Sequence, residues 1–171
     1  MKIYLLFFLL TPIGSGIKSQ PSIKIFGFEQ ENSRGTIATD VKDENGNRQK
    51  KAVAQKNYFI YLSFKQKYSI TPLQVFINGN AFSTRTVVVE TTPVEYHNNN
   101  IPSKLEKITL VPKTNDKVIE LKIVDSIQVK KTSALQKLTN KNEVVVSYTW
   151  KQKKYFVILQ KLKKLDPVLN E

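Results

Sequence analysis

The sequence predicts an all-β fold: an antiparallel β-sandwich of Ig-like architecture with about eight or nine strands, a β-barrel being the alternative. Three observations predict it. Apolar residues alternate with period two along most of the chain. An Asn-Gly dipeptide, Asn78-Gly79, lies between two β-rich runs. Turn residues recur roughly every 8–14 residues, the spacing of short strands in sandwiches and barrels.

Each element follows from local pattern. In Ser22–Gln30 the apolar phase moves from Ile23 and Ile25 to Phe26 and Phe28 beside Gly27, which predicts a β-bulge. Thr36–Val41 is the next strand candidate. Asn45-Gly46 has charged flanks without alternation, so "DVKDENGNRQKK" is expected to be a long exposed loop. "NYFIYLSFK" (Asn57–Lys65) is apolar on both faces at its centre, which predicts a middle strand covered on two sides. Asn78-Gly79 suits a type I′ turn, where both central residues need positive φ, so Leu73–Ile77 and Ala81–Glu90 should form a hairpin. Leu105–Val111 is a further strand. "KVIELKIVD" (Lys117–Asp125) alternates Ile119, Leu121 and Ile123 against Glu120 and Lys122, a half-buried strand with one wet face.

Ser133–Asn142 is the one helical candidate, with Ser133 as its cap, and it is too short to persist without packing. Val144–Trp150 and Tyr155–Gln160 complete the strands, joined by a four-residue loop, Lys151–Lys154, across which Trp150 and Tyr155 face each other. As a helix, the stretch "WKQKKYFVILQKLKKL" would place Tyr155, Ile158, Leu159, Leu162 and Leu165 on one face. Its β-branched and aromatic centre, following the strongly β "VVVSYTW", favours a strand. Tyr155, Val157 and Leu159 then take one face, and Phe156 and Ile158 the other.

The first residues are read as an address. Lys2, an apolar run from Ile3 to Leu10, and then Pro12, Gly14, Ser15 and Gly16 form the pattern of a secretory signal peptide, residues 1–19. The expected cleavage follows Ser19, with Gly16 as the alternative. The apolar run is shorter than the roughly 20 residues needed to span a bilayer. Residues 20–171 then form a single β-sandwich domain, exported to the periplasm or secreted. The composition suits the envelope of an AT-rich Gram-negative bacterium.

The formal charge is +13, from 27 basic and 14 acidic residues. Arg34, Arg48 and Arg85 are the arginines and the rest of the basic residues are lysines. Bidentate phosphate and base recognition favours arginine, so this balance shows no specific nucleic-acid motif. The cations concentrate beyond residue 103, where 15 lysines face seven acids. Lys151, Lys153 and Lys154 form a basic hairpin tip. Lys161, Lys163 and Lys164 form the polar exit of the last strand, where lysine also discourages edge-to-edge aggregation. These six are the candidate anion contacts.

No catalytic or cofactor constellation is present in the sequence. With no cysteine there is no disulfide, thiolate nucleophile or thiolate metal site. His97 is the single histidine and sits in a polar loop, and no G-x-S-x-G context accompanies it. One histidine without cysteine does not supply a zinc site. Asp43, Asn45 and Asn47 resemble the start of a calcium loop, but Arg48 occupies its glycine position. The carboxylates offer no pair that stands out for glycosidic chemistry. No cofactor or metal is expected. The expected function is an exported, non-enzymatic β-domain that binds a protein partner in the envelope through an exposed edge strand. The alternative is a lysine-rich binder of an anionic polymer: polysaccharide, lipid head group or DNA.

Overall fold

A computed structural model describes residues 20–34, 55–97 and 107–170. The expected signal peptide, the expected Thr36–Val41 strand and the expected Asn45-Gly46 loop with its calcium-like pattern lie outside the described residues. The elements in chain order are β1 Ile23–Arg34, β2 Gln55–Phe64, β3 Thr71–Ile77, β4 Asn80–Val89, β5 Val94–Tyr96, β6 Ile108–Val111 and β7 Lys117–Ile127. There follow α1 Ser133–Lys141, β8 Val144–Trp150, β9 Lys153–Leu159, β10 Lys163–Lys164 and β11 Val168–Asn170. The fold is all-β with one helix, and its main sheet curls into a half-barrel.

The main sheet runs β10-β1-β2-β7-β4-β3-β8-β9, with β11 also on β1, while β5 and β6 form a separate two-stranded sheet. Most pairs are antiparallel, as expected. The exceptions are β10 and β11, which pair parallel to β1. Among the described residues there are eleven strands rather than eight or nine. The excess comes from the short β5, β10 and β11, which carry too few residues to show a period.

Both faces of the sheet are covered, and this accounts for the sequence of β1 and β2. The concave face buries Ile60, Leu62, Val75, Ile77, Leu121, Val144 and Val146, with Ile23 and Ile25 packed against them. The convex face carries two smaller cores. At one end Phe28, Tyr61 and Val118 lie under Leu110 and Val111 of β6 and Leu165 of the tail. At the other, Phe76, Ala81 and Val145 lie under Leu135 of α1. The expected bulge at Gly27 is absent: β1 pairs with β2 in unbroken register from Ile23↔Phe64 to Asn32↔Gln55. Ile23 and Ile25 serve the concave core and Phe26 and Phe28 the convex one, so the apparent phase shift is a strand buried on both faces. The expectation that β2 is covered on two sides holds for the same reason.

Local chemistry sets the turns. Asn78 and Gly79 both have positive φ (48° and 81°), as a type I′ turn requires, and β3 and β4 pair across them from Ile77↔Asn80. The β8–β9 connection is shorter than expected. Lys151 and Gln152 alone make the turn, with φ of 48° and 62°, and Lys153 and Lys154 already pair with Trp150 and Thr149. The right-handed strand twist favours the two-residue primed turn even without glycine. The helix is capped by Thr132, not Ser133, because the Thr132 hydroxyl accepts the Leu135 N–H (3.3 Å).

The chain after β9 is also more than a polar exit. Leu162 enters the concave core and Leu165 the convex one. The Leu162 N–H donates to Glu143 Oε2 (2.6 Å) and the Leu165 N–H to the Glu29 carbonyl (2.8 Å). Lys163 and Lys164 lie beside Phe28 and Glu29 as β10, so the last strand of the sheet leads directly onto the first.

Candidate functional site

The main sheet is split. β2 and β7 pair only from Tyr61↔Glu120 to Phe64↔Lys117. Upstream, Gln55–Ile60 of β2 keeps β1 as its ladder partner, and downstream, Leu121–Ile127 of β7 keeps β4. On their facing sides the two strands diverge. The cause lies in β7. Its register with β4 shifts between Phe82↔Ser126 and Thr84↔Ile123, so that Val124 and Asp125 together face Ser83 and β7 carries one extra residue. Such a bulge bends its strand and increases the local twist. The Asp125 N–H donates to Ser83 Oγ (3.2 Å), which holds the bulge against β4.

A cleft of about 440 Å³ occupies the split. Lys56, Tyr58 and Phe59 line it from β2, Phe82 from β4, and Lys122, Ile123 and Val124 from β7. Its floor is the rim of the concave core, since Tyr58, Phe82 and Ile123 are half-buried members of that cluster. Val124 is 57% exposed at its lip. Which backbone groups point into the cleft follows from the hairpin. Ile77 and Asn80 close the turn as a hydrogen-bonded pair, and alternation across β4 and β7 turns the amide and carbonyl of Ile123 toward β2. The same alternation turns those of Lys56 and Tyr58 toward β7.

Charge frames the cleft. Lys56 Nζ donates to Glu29 Oε2 (3.2 Å) and lies 3.9 Å from Glu31. The hydrogen bond that Lys56 donates to Glu29 holds its ammonium above the ordinary pKa. Burial pushes the Tyr58 phenol up, and Glu29 adds to that. On the convex side Lys122 stands directly opposite Arg85, and Glu120 is 3.9 Å from the Lys122 ammonium.

The six lysines singled out by sequence fall into two groups. Lys151, Lys153 and Lys154 stand at the β8–β9 turn, and Lys161, Lys163 and Lys164 lie beyond the far end of β9. Six strand steps at about 3.3 Å each separate the groups by roughly 20 Å, so they do not make one patch. Several already have partners. Lys151 lies over the Trp150 ring (4.6 Å), Lys154 over Phe156 (5.7 Å) and Lys163 over Phe28 (5.8 Å). Lys164 is 3.9 Å from Glu29. Trp150 and Tyr155 do meet beside the turn, with ring centroids 6.0 Å apart.

β9 is the last strand of the sheet path, so among the described residues it has a ladder partner on one side only. Phe156 and Val157 pack on opposite faces, as the strand reading requires, and Ile158 is 43% exposed. His97 is exposed. Among the described residues no group of three or more His, Cys, Asp or Glu could hold a metal, and no helix is long and apolar enough to cross a membrane.

Sequence reasoning did not find the split. Its signal was the loss of alternation after Ile123, where Val124, Asp125 and Ser126 break the period of "KVIELKIVD".

What fold and site define together is an all-β domain whose curled sheet opens between two facing strands. No family model, curated protein or solved structure matches the chain.

Proposed function

We propose that this is an exported, non-enzymatic β-domain, periplasmic or secreted, that binds an extended segment of a protein partner in the envelope by strand addition. One observation carries the reading: β2 and β7 face each other across a cleft with no ladder partner between them among the described residues. Unpaired strand edges are templates for another chain, and main-chain hydrogen bonds then supply affinity. Export rests on the N-terminal pattern of Lys2, the apolar run and the small residues after it. The finer architecture belongs to the same proposal, an Ig-like sandwich or a barrel. Cover on both faces of the sheet supports the first, and the passage from β9 through β10 onto β1 supports the second.

Because the chain has no cysteine, Val124→Cys gives a single labelling point for a photo-crosslinker in living cells. It should capture one discrete envelope protein. Tyr58→Pro, which removes an amide facing the split and no bond to β1, should abolish that adduct while far-UV circular dichroism stays unchanged. The same adduct from Lys137→Cys on the exposed face of α1, or its survival in Tyr58→Pro, overturns the reading.

The second reading, binding of an anionic polymer, is supported by the exposed lysines of the β8–β9 turn, Lys151, Lys153 and Lys154. Retention on heparin should then fall steeply between low and physiological salt. Exchange of these three for glutamine should remove it.

A further inference from the structure

We infer that the segment accepted by the split between β2 and β7 is acidic, with apolar residues at alternate positions; this rests on the strand-addition reading above.

The apolar half of that specification comes from the floor of the cleft. Tyr58, Phe82 and Ile123 present half-buried apolar surface on the concave side. Any strand laid between β2 and β7 turns every second side chain to that side. A polar residue there would be desolvated without a partner. Because β2 and β7 are antiparallel, the inserted strand runs parallel to one and antiparallel to the other.

The acidic half comes from the convex side, where the other side chains of an inserted strand emerge. Lys122 and Arg85 are direct cross-strand neighbours and both are exposed. Like charges directly opposite each other destabilise a sheet. Glu120 compensates only from 3.9 Å, through an exposed lysine, a distance and setting at which an ion pair contributes little. A carboxylate on the inserted strand beside Lys122 would be its direct cross-strand neighbour, with strands about 4.8 Å apart, and would add to Glu120 in offsetting the Arg85 charge. The whole chain, at +13, steers anionic segments inward and opposes a second copy of itself.

The test uses the full chain and two ten-residue probe peptides, one alternating valine with glutamate, the other valine with lysine. Binding is read by fluorescence anisotropy, and insertion by hydrogen exchange at Tyr58 and Ile123. The glutamate peptide should bind, weaken as salt rises, and slow exchange at both amides. Lys122→Glu should weaken it by roughly fivefold, the scale of one cross-strand charge pair reversed. Equal binding of both peptides with both amides protected would leave strand addition standing and sink the acidic preference. Binding of the glutamate peptide without protection of either amide sinks strand addition itself. Slow exchange at Tyr58 and Ile123 in the free protein means that the chain fills its own split, and overturns both.

Discussion

A methyl group on Gly27 would lie 2.6 Å from Leu159 Cδ2 and 2.9 Å from Leu162 Cδ2. Gly27 is therefore where β1, next to one end of the sheet path, meets β9 at the other, and both leucines belong to or pack on the concave core. Gly27→Ala should force those leucines off their rotamers and destabilise the protein by about 1–3 kcal/mol. Thermal or urea unfolding would show it. A variant as stable as the parent would mean that the two ends of the sheet do not touch in solution.

The β8–β9 turn makes the opposite prediction. Gln152 has φ of 62°, a conformation that costs an L-residue roughly 1–2 kcal/mol and glycine almost nothing. Gln152→Gly should stabilise the protein by about 1 kcal/mol, less the extra freedom that glycine gains on unfolding. The midpoint of chemical denaturation should rise with an unchanged m-value.

Glu143 ties the tail to the sheet. Its carboxylate accepts the Leu162 N–H at 2.6 Å, and Leu162 is buried. Glu143→Ala leaves that amide without its acceptor, at about 1–3 kcal/mol. Glu143→Gln, which keeps an acceptor oxygen, should recover at least half of the loss. Faster hydrogen exchange at Leu162 and Leu165 in Glu143→Ala would place the effect in the tail.

Alkaline pH should weaken the fold through Tyr61. Burial first, and then Glu120, push its phenol up to about 12 from the usual 10. A group whose pKa is raised on folding contributes stability that is fully present below its unfolded value, here about 10, and is lost as pH rises toward 12. The loss falls between pH 10 and 12, because the folded protein resists the ionisation that the unfolded chain accepts. Tyr61→Phe should lose less stability than the parent between pH 9 and 11.5, measured by urea denaturation at each pH. Identical pH profiles would show that Tyr61 ionises freely in the native state.

Much of the fold was legible because its determinants are local. The Asn78-Gly79 hairpin rests on two backbone conformations, the boundaries of Val144–Trp150 on a run of β-branched and aromatic residues, and α1 on one short polar stretch. The faces of β9 also followed from alternation. Errors arose where one local pattern serves two distant surfaces. Ile23, Ile25, Phe26 and Phe28 looked like a bulge because a sequence does not say that both faces of a strand are buried. Lys163 and Lys164 are exposed, as the polar exit requires, but their pairing with β1 was missed because a two-residue parallel bridge leaves no period to detect. The hairpin-tip lysines and the exit lysines lie close in the sequence. Six steps of β9 hold them apart.

By itself the sequence determined the all-β class, the positions of most strands, the two-residue turn at Asn78-Gly79 and the absence of cysteine chemistry. These depend on side-chain period, β-branching and left-handed φ, which act within a few residues. Only the tertiary structure decided strand order, the meeting of β1 and β9 at Gly27, the docking of Leu162 and Leu165 into two cores, and the split between β2 and β7. Those depend on which strands curl together and where a bulge bends one away, and they bring together residues as far apart in the chain as Gly27 and Leu159.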